Sequence, residues 1–192
     1  MNFMKIIDII PLKRGEEVLK NKIDLQFLRY DRHNMMNHLQ LVSGFLQLKR
    51  LDKVEEYVQN LIHILEKERK LIHLNIPEFS YWILMFNHHN HHYRIDYQID
   101  VGFSLQPIDQ RLTEDCNNFI EIVKKYFSKD ELHHFKINLK ERSFSSVDVV
   151  FRFNYHDFSQ TSFTKDCQRL LNVDELNVSK REQFICKWTY YL

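Results

Sequence analysis

The chain has 192 residues, with 27 lysines and arginines against 26 aspartates and glutamates and a formal charge of +1. So even a balance argues against a nucleic-acid partner or an anionic membrane surface, and a hydrophobic content of 44% suffices for one compact domain or two small ones. Cys116, Cys167 and Cys186 are scattered, with no CxxC pair, and read as reduced thiols of a cytoplasmic protein.

The opening stretch from Phe3 to Pro11 is apolar but short, and Lys5 and Asp8 break it. It is neither a membrane-spanning helix nor a signal peptide, and fits a short strand or an ordering extension. From Leu25 the pattern changes. Leu25, Leu28, Met35, Leu39, Val42 and Leu46 recur at steps of three and four, with Arg32 filling the place between Leu28 and Met35. That is the seam of a packed helix sustained for about three heptads. Gln26, Arg29, His33, Asn37, Gln40, Gly44 and Gln47 repeat on another face. His33 therefore stands at the edge of the seam with its ring in solvent. Arg32, Asn37, Gln40 and Gly44 make a polar, sterically open strip around it. His38 falls on a different face and lacks this setting.

A second helix follows through Val54, Val58, Leu61, Leu65 and Ile72, with Asp52 expected as its N-cap. Only Leu51-Asp52-Lys53 separates the two patterns, which forces an antiparallel hairpin. Two helices with one apolar stripe each bury those stripes poorly alone. The economical solution is a second copy, a homodimer whose four helices form a bundle across a two-fold axis.

Past Asn75-Ile76-Pro77 the texture becomes α+β. Glu78 to Asn87 reads as a buried helix opened by Pro77. Tyr93 to Val101 alternates as a strand, and Leu112 to Phe127 is an amphipathic helix. Phe135 to Leu139, Val147 to Phe153 and Phe184 to Tyr191 alternate again, with a short helix at Cys167 to Leu171. The expected architecture is a long helical hairpin, residues 1–76, followed by an α+β unit, 77–192, of about four strands with helices on one face. His88 and His92 have the i, i+4 spacing of a zinc pair. No cysteine or carboxylate follows at a suitable distance, so a solvated helix end is expected there and no metal.

Arg32-His33-x-x-Met36-Asn37-x-Leu39-Gln40-Leu41, the hairpin after it and the chain length resemble the sporulation initiation phosphotransferase B family. These are phosphorelay proteins related to citrate-type sensor histidine kinases. The resemblance implies a dimeric four-helix bundle carrying a phosphorylated histidine, here His33 with Arg32 and Asn37 beside it, and a degenerate α/β sandwich of the kinase ATPase kind. It also implies response regulators as partners, one donating phosphate from its aspartate and another accepting it, with Mg²⁺ supplied by the regulator. Asn34 stands where an acidic residue usually follows the histidine, which counts more against a kinase than against a transferase.

The residues themselves speak against ATP. A kinase of that class needs an asparagine for Mg²⁺ on the helix corresponding to Asn118–Tyr126, and the place falls on Ile122, which has no lone pair. The phosphates need glycine-rich loops, and the three glycines are Gly15, Gly44 and Gly102, none beyond residue 102. A neutral imidazole has a nitrogen lone pair and serves as a covalent nucleophile toward an aspartyl phosphate. Two other readings stand beside this one. They are a non-enzymatic dimer that docks and sequesters a regulator or kinase, and a sensor kinase with an atypical ATP site.

Overall fold

The computed structural model describes residues 14–128, 130–154, 160–170, 174–178 and 183–192. The strand or extension expected at residues 3–11 lies outside them. The residues group into two compact units, one ending at Glu66 and the other beginning at Lys67.

In the first unit, helix α1 spans Arg14–Gln47 and helix α2 begins at Leu51 and runs to His73. The apolar seam marks a start at Leu25, yet the helix begins eleven residues earlier, over a segment with no sustained apolar stripe to advertise it. The turn between the helices is a Schellman motif: Arg50 N–H donates to Phe45 O at 2.9 Å and Lys49 N–H to Leu46 O at 3.0 Å. Lys49 sits at φ 55°, the left-handed position usually given to glycine. Asp52 is not the N-cap expected from the sequence. It lies inside the first turn, where Arg50 grips its carboxylate through two hydrogen bonds of 3.0 and 2.9 Å and holds its pKa down to about 2. Its charge still opposes the helix dipole favourably. Among the described side chains of this unit none is buried.

The second unit has its own core. The last turns of α2 contribute Leu71 and, just past the helix, Leu74 and Ile76 follow, all three essentially inaccessible. Asn75, at φ 56°, ends that helix in a conformation asparagine tolerates. Helix α3 (Pro77–His89) starts on proline as expected, but its first N–H groups are satisfied from outside. The buried carboxylate of Asp109 accepts from Glu78 N–H and Phe79 N–H, both at 2.9 Å. Strand β1 (Tyr93–Asp100), helix α4 (Asp109–Tyr126) and strand β2 (His133–Ser143) form a β-α-β unit, and β1 and β2 pair in parallel with Tyr93 opposite His133. Strand β3 (Ser146–Asn154), helix α5 (Gln160–Leu170), strand β4 (Glu175–Val178) and strand β5 (Gln183–Tyr191) complete it, the remaining pairings being antiparallel.

The sheet has five strands in the order β1-β2-β3-β5-β4, not four. The extra one, β4, is a four-residue edge strand too short to show alternation. Helix α5 also begins earlier than the expected Cys167–Leu171: among its described side chains only Phe163 and Cys167 are buried, which gives its first turns little apolar period to read. Phe119 of α4 packs at 4.4 Å on Phe151, which stacks on Trp188 at 5.4 Å. Phe153 stacks on Phe184 at 5.1 Å, and Phe163 of α5 meets Phe184 edge-on at 5.0 Å. These rings lie between the helices and one face of the sheet. The other face carries Arg94, Asp96, Lys136 and Arg152.

Edge strand β1 is protected in a specific way. The side-chain amide of Asn87 donates to Ile95 O at 2.9 Å and its oxygen accepts Ile95 N–H at 2.8 Å, so the side chain pairs with the strand as another strand would. Arg94 donates to Asn87 O and Asn90 O, closing the C-terminus of α3 with a cation.

Two stability predictions follow from these termini. Lys49→Gly should raise the unfolding free energy by about 1 kcal/mol in urea titration, because glycine adopts the left-handed conformation without steric penalty. Burial pushes the Asp109 carboxyl above its ordinary value, against the pull of the two N–H donors. The folded state thus binds this proton more tightly than the unfolded one, and its contribution to stability falls as pH rises through the folded value. Asp109→Ala should lower stability by about 1–3 kcal/mol at neutral pH, by stranding two helix N–H groups. Asp109→Asn should lose less and should flatten stability against pH above about 4.

Candidate functional site

Helix α1 carries the residues singled out from the sequence on one continuous stretch of backbone. Arg32, His33, Asn37 and Gln40 are exposed, and Gly44 is half-buried. A Cβ at Gly44 would meet no atom within 4 Å, so nothing in the chain itself requires glycine there. Asn34 is half-buried beside the histidine, an amide where a carboxylate would offer a base.

The structure brings two of these side chains together. Asn37 Nδ2 lies 3.2 Å from His33 Nδ1, the i, i+4 contact of a helix surface. As drawn, the amide donates to Nδ1, and a neutral ring would then carry its proton on Nε2. Rotating the amide by half a turn, which changes no heavy-atom position appreciably, lets Asn37 Oδ1 accept from Nδ1–H. The outward Nε2 then holds the lone pair. The amide can meet either tautomer of the ring, so the contact orients the imidazole on the helix without selecting its nucleophilic nitrogen. Arg32 and Gln40 make no side-chain hydrogen bond to His33 among the described residues and are placed beside it only by the helix.

His38, set aside on sequence grounds, is an interhelical strut. Its Nδ1 lies 2.7 Å from the hydroxyl of Tyr57 on α2, and Tyr57 also meets Phe45 edge-on at 6.1 Å. This link between helices fixes their register near His33. The only sequence signal for it was an aromatic residue on the facing stripe of the second helix. The apolar seam beside His33 is open: Leu25, Leu28 and Leu39 are 54%, 56% and 55% exposed. On α2, Val58, Ile62 and Leu65 are exposed as well.

In the second unit, Ile122 is a buried core residue of α4, in the place where the kinase reading needed a metal-binding asparagine. His88, His89, His91 and His92 are all exposed at the end of α3 and the start of β1. Among the described residues no group of three histidines, cysteines, aspartates or glutamates is arranged to hold a metal ion, and no helix is long and apolar enough to cross a membrane. The three cysteines are buried and free.

The described parts are a helical hairpin with an exposed histidine, joined in sequence to an α+β unit. Comparison with known proteins gives the class. Residues 14–74 match the model of the sensor kinase SpoOB-type alpha-helical domain, and residues 75–189 match that of the C-terminal domain of sporulation initiation phosphotransferase B. The chain belongs to the sporulation initiation phosphotransferase B family. It is 26% identical over 127 residues to the Sporulation initiation phosphotransferase B of Bacillus subtilis (strain 168), a match covering 66% of each protein, just under two thirds. Among solved structures, the blue-light activated histidine kinase of Erythrobacter litoralis EL346 aligns with a TM-score of 0.42 at 15% identity, over 88% of this chain and 60% of that one.

Proposed function

We propose that this chain is a phosphorelay phosphotransferase acting in sporulation initiation, with His33 as its phosphoryl carrier. The observation that carries the reading is the helical unit itself. It holds an exposed imidazole beside an apolar seam that has no buried side chain among those described. Family membership supplies the reaction class.

The seam asks for a partner. Exposed Leu25, Leu28, Met35 and Leu39 on one face are unfavourable in water, at roughly 25 cal/mol per Å² of apolar surface left uncovered. A second copy offers the same stripe and closes a four-helix bundle, so the proposed active form is a homodimer. His33 then stands on the rim of the bundle, rigidly held and open to a docking protein.

In the transfer step His33 Nε2 directs its lone pair at the phosphorus of a response regulator's aspartyl phosphate. The N–P bond forms as the bond between phosphorus and the aspartate oxygen breaks, and the carboxylate leaves with the bonding pair. The ring keeps its Nδ1 proton and becomes a phosphoimidazolium, from which neutral imidazole departs with the N–P bonding pair when a second regulator's aspartate attacks the phosphorus. Asn37 Oδ1 holds that proton in place. Mg²⁺ would be held by the regulator's carboxylates and would compensate the negative charge on the phosphoryl oxygens. Arg32 beside His33 in sequence, and Arg29 one turn earlier on the same face, are cations that this helix carries near the ring.

Incubation with a phosphorylated receiver domain and Mg²⁺ tests the proposal. Label should appear on the chain, acid-labile and alkali-stable, and disappear in His33→Gln while that variant stays dimeric. Docking without label would make the protein a sequestering regulator, and label taken from ATP alone would make it a kinase. Asn37→Leu should slow transfer about tenfold, whereas Asn37→Asp, which keeps an acceptor for Nδ1–H, should retain most of it. Equal loss in both would remove the tautomer argument. Met35→Asp or Leu39→Asp should dissociate the dimer in sedimentation analysis, because each would bury an unpaired carboxylate. A stable dimer from both would show that the seam is not the interface.

A further inference from the structure

The sheet face opposite the aromatic core carries an arrangement of charge that the phosphorelay reading does not use. Strand register places Lys136 of β2 directly opposite Arg152 of β3. On the other side of β2, Arg94 lies opposite His134 and Asp96 opposite Lys136. Strands are about 4.8 Å apart, so the bases of these side chains sit within one or two strand spacings of each other.

Like charges directly opposite on a sheet face are destabilising. The neighbouring acid, Asp96, is shared: Lys67 donates to its carboxylate at 2.5 Å and Lys136 opposite it adds a weaker attraction, so one carboxylate serves several cations. Among the described residues neither Lys136 nor Arg152 makes a salt bridge. Elsewhere on the same face the charges are matched: Asp148 receives Lys187 at 2.8 Å and lies 3.9 Å from Arg142. Lys136 and Arg152 line a groove of about 340 Å³, with Asp96, His134 and the amide of Asn154 also on its walls. Arg94 uses Nη1 on the carbonyls that end α3, which fixes its guanidinium at the groove.

We propose that this groove, bounded by Arg94, His134, Lys136 and Arg152, is a binding site for a small diphosphate-bearing anion. Two guanidinium groups match phosphate oxygens in planar, two-pronged fashion, and the lysine between them adds a point charge. The volume suits a small molecule, and three cations on three adjacent strands call for a ligand of more than one negative charge, as two linked phosphates carry. The site is built by the second unit alone and stands or falls independently of His33.

Titration calorimetry of the full chain with pyrophosphate, at constant ionic strength, tests it. Wild type should bind one equivalent per chain, and Lys136→Gln and Arg152→Gln should each weaken binding about tenfold or more. Lys124→Gln removes the same charge from α4, outside the groove, and should bind as wild type does. Lys136→Gln without ligand should melt no lower than wild type, since it removes a repulsion, so loss of binding cannot be ascribed to unfolding. No saturable binding by wild type would overturn the proposal, as would equal loss in Lys124→Gln or unchanged affinity in both groove variants.

Discussion

Burial of the seam on α1 and α2 is the constraint on which the functional half of this molecule depends. A helical hairpin gains little from propensity alone, since most helical stability in proteins comes from packing an amphipathic face. Here the described side chains of residues 25–66 supply no buried core. What links the helices within one chain is narrow: the His38–Tyr57 hydrogen bond, the Phe45–Tyr57 contact and the Schellman turn at Lys49. These set register and direction, while the apolar stripe is left for another surface. The arrangement that exposes leucines also exposes His33, because both follow from a helix that is not yet packed on all sides.

The second unit is the physical opposite. Its aromatic residues from α4, α5, β3 and β5 form one contiguous cluster, and its helix ends are closed by polar groups reaching between elements. Asp109 caps α3 from the start of α4, Arg94 closes the other end from β1, and Asn87 completes the β1 edge. This unit has a hydrophobic core of its own. It is free to carry surface chemistry that the fold does not require, and the opposed Lys136 and Arg152 are such a feature.

Much of this was legible in the chain. The three-four rhythm from Leu25 to Leu46 and from Val54 to Ile72 announces two helices, and the brevity of the connection makes them antiparallel. Alternation marks β1, β3 and β5 because one face of each is buried in aromatic packing. The illegible parts have physical reasons. Lys49 occupies a left-handed turn where glycine is the usual signal, so the cap could not be read. β4 is four residues long, and α5 buries only two side chains along its described length, so neither shows a period. At the site, helical geometry alone places His33 and Asn37 together, but the hydrogen bond between amide and ring nitrogen appears only with atoms in place. The His38–Tyr57 strut depends on interhelical register, and the pairing of Lys136 with Arg152 depends on strand register. Neither register is written in the local pattern of residues.

The central claim is that one particular imidazole carries the phosphoryl group, and peptide mapping tests it most directly. Tryptic cleavage after Arg32 and Lys49 yields a single peptide, residues 33–49, that contains both His33 and His38. Fragmentation of that peptide by electron transfer, after brief exposure of the chain to a phosphorylated receiver domain, should place the added phosphoryl group on His33. Finding it on His38, whose ring is engaged with Tyr57, or on any of the histidines of the second unit would contradict the account.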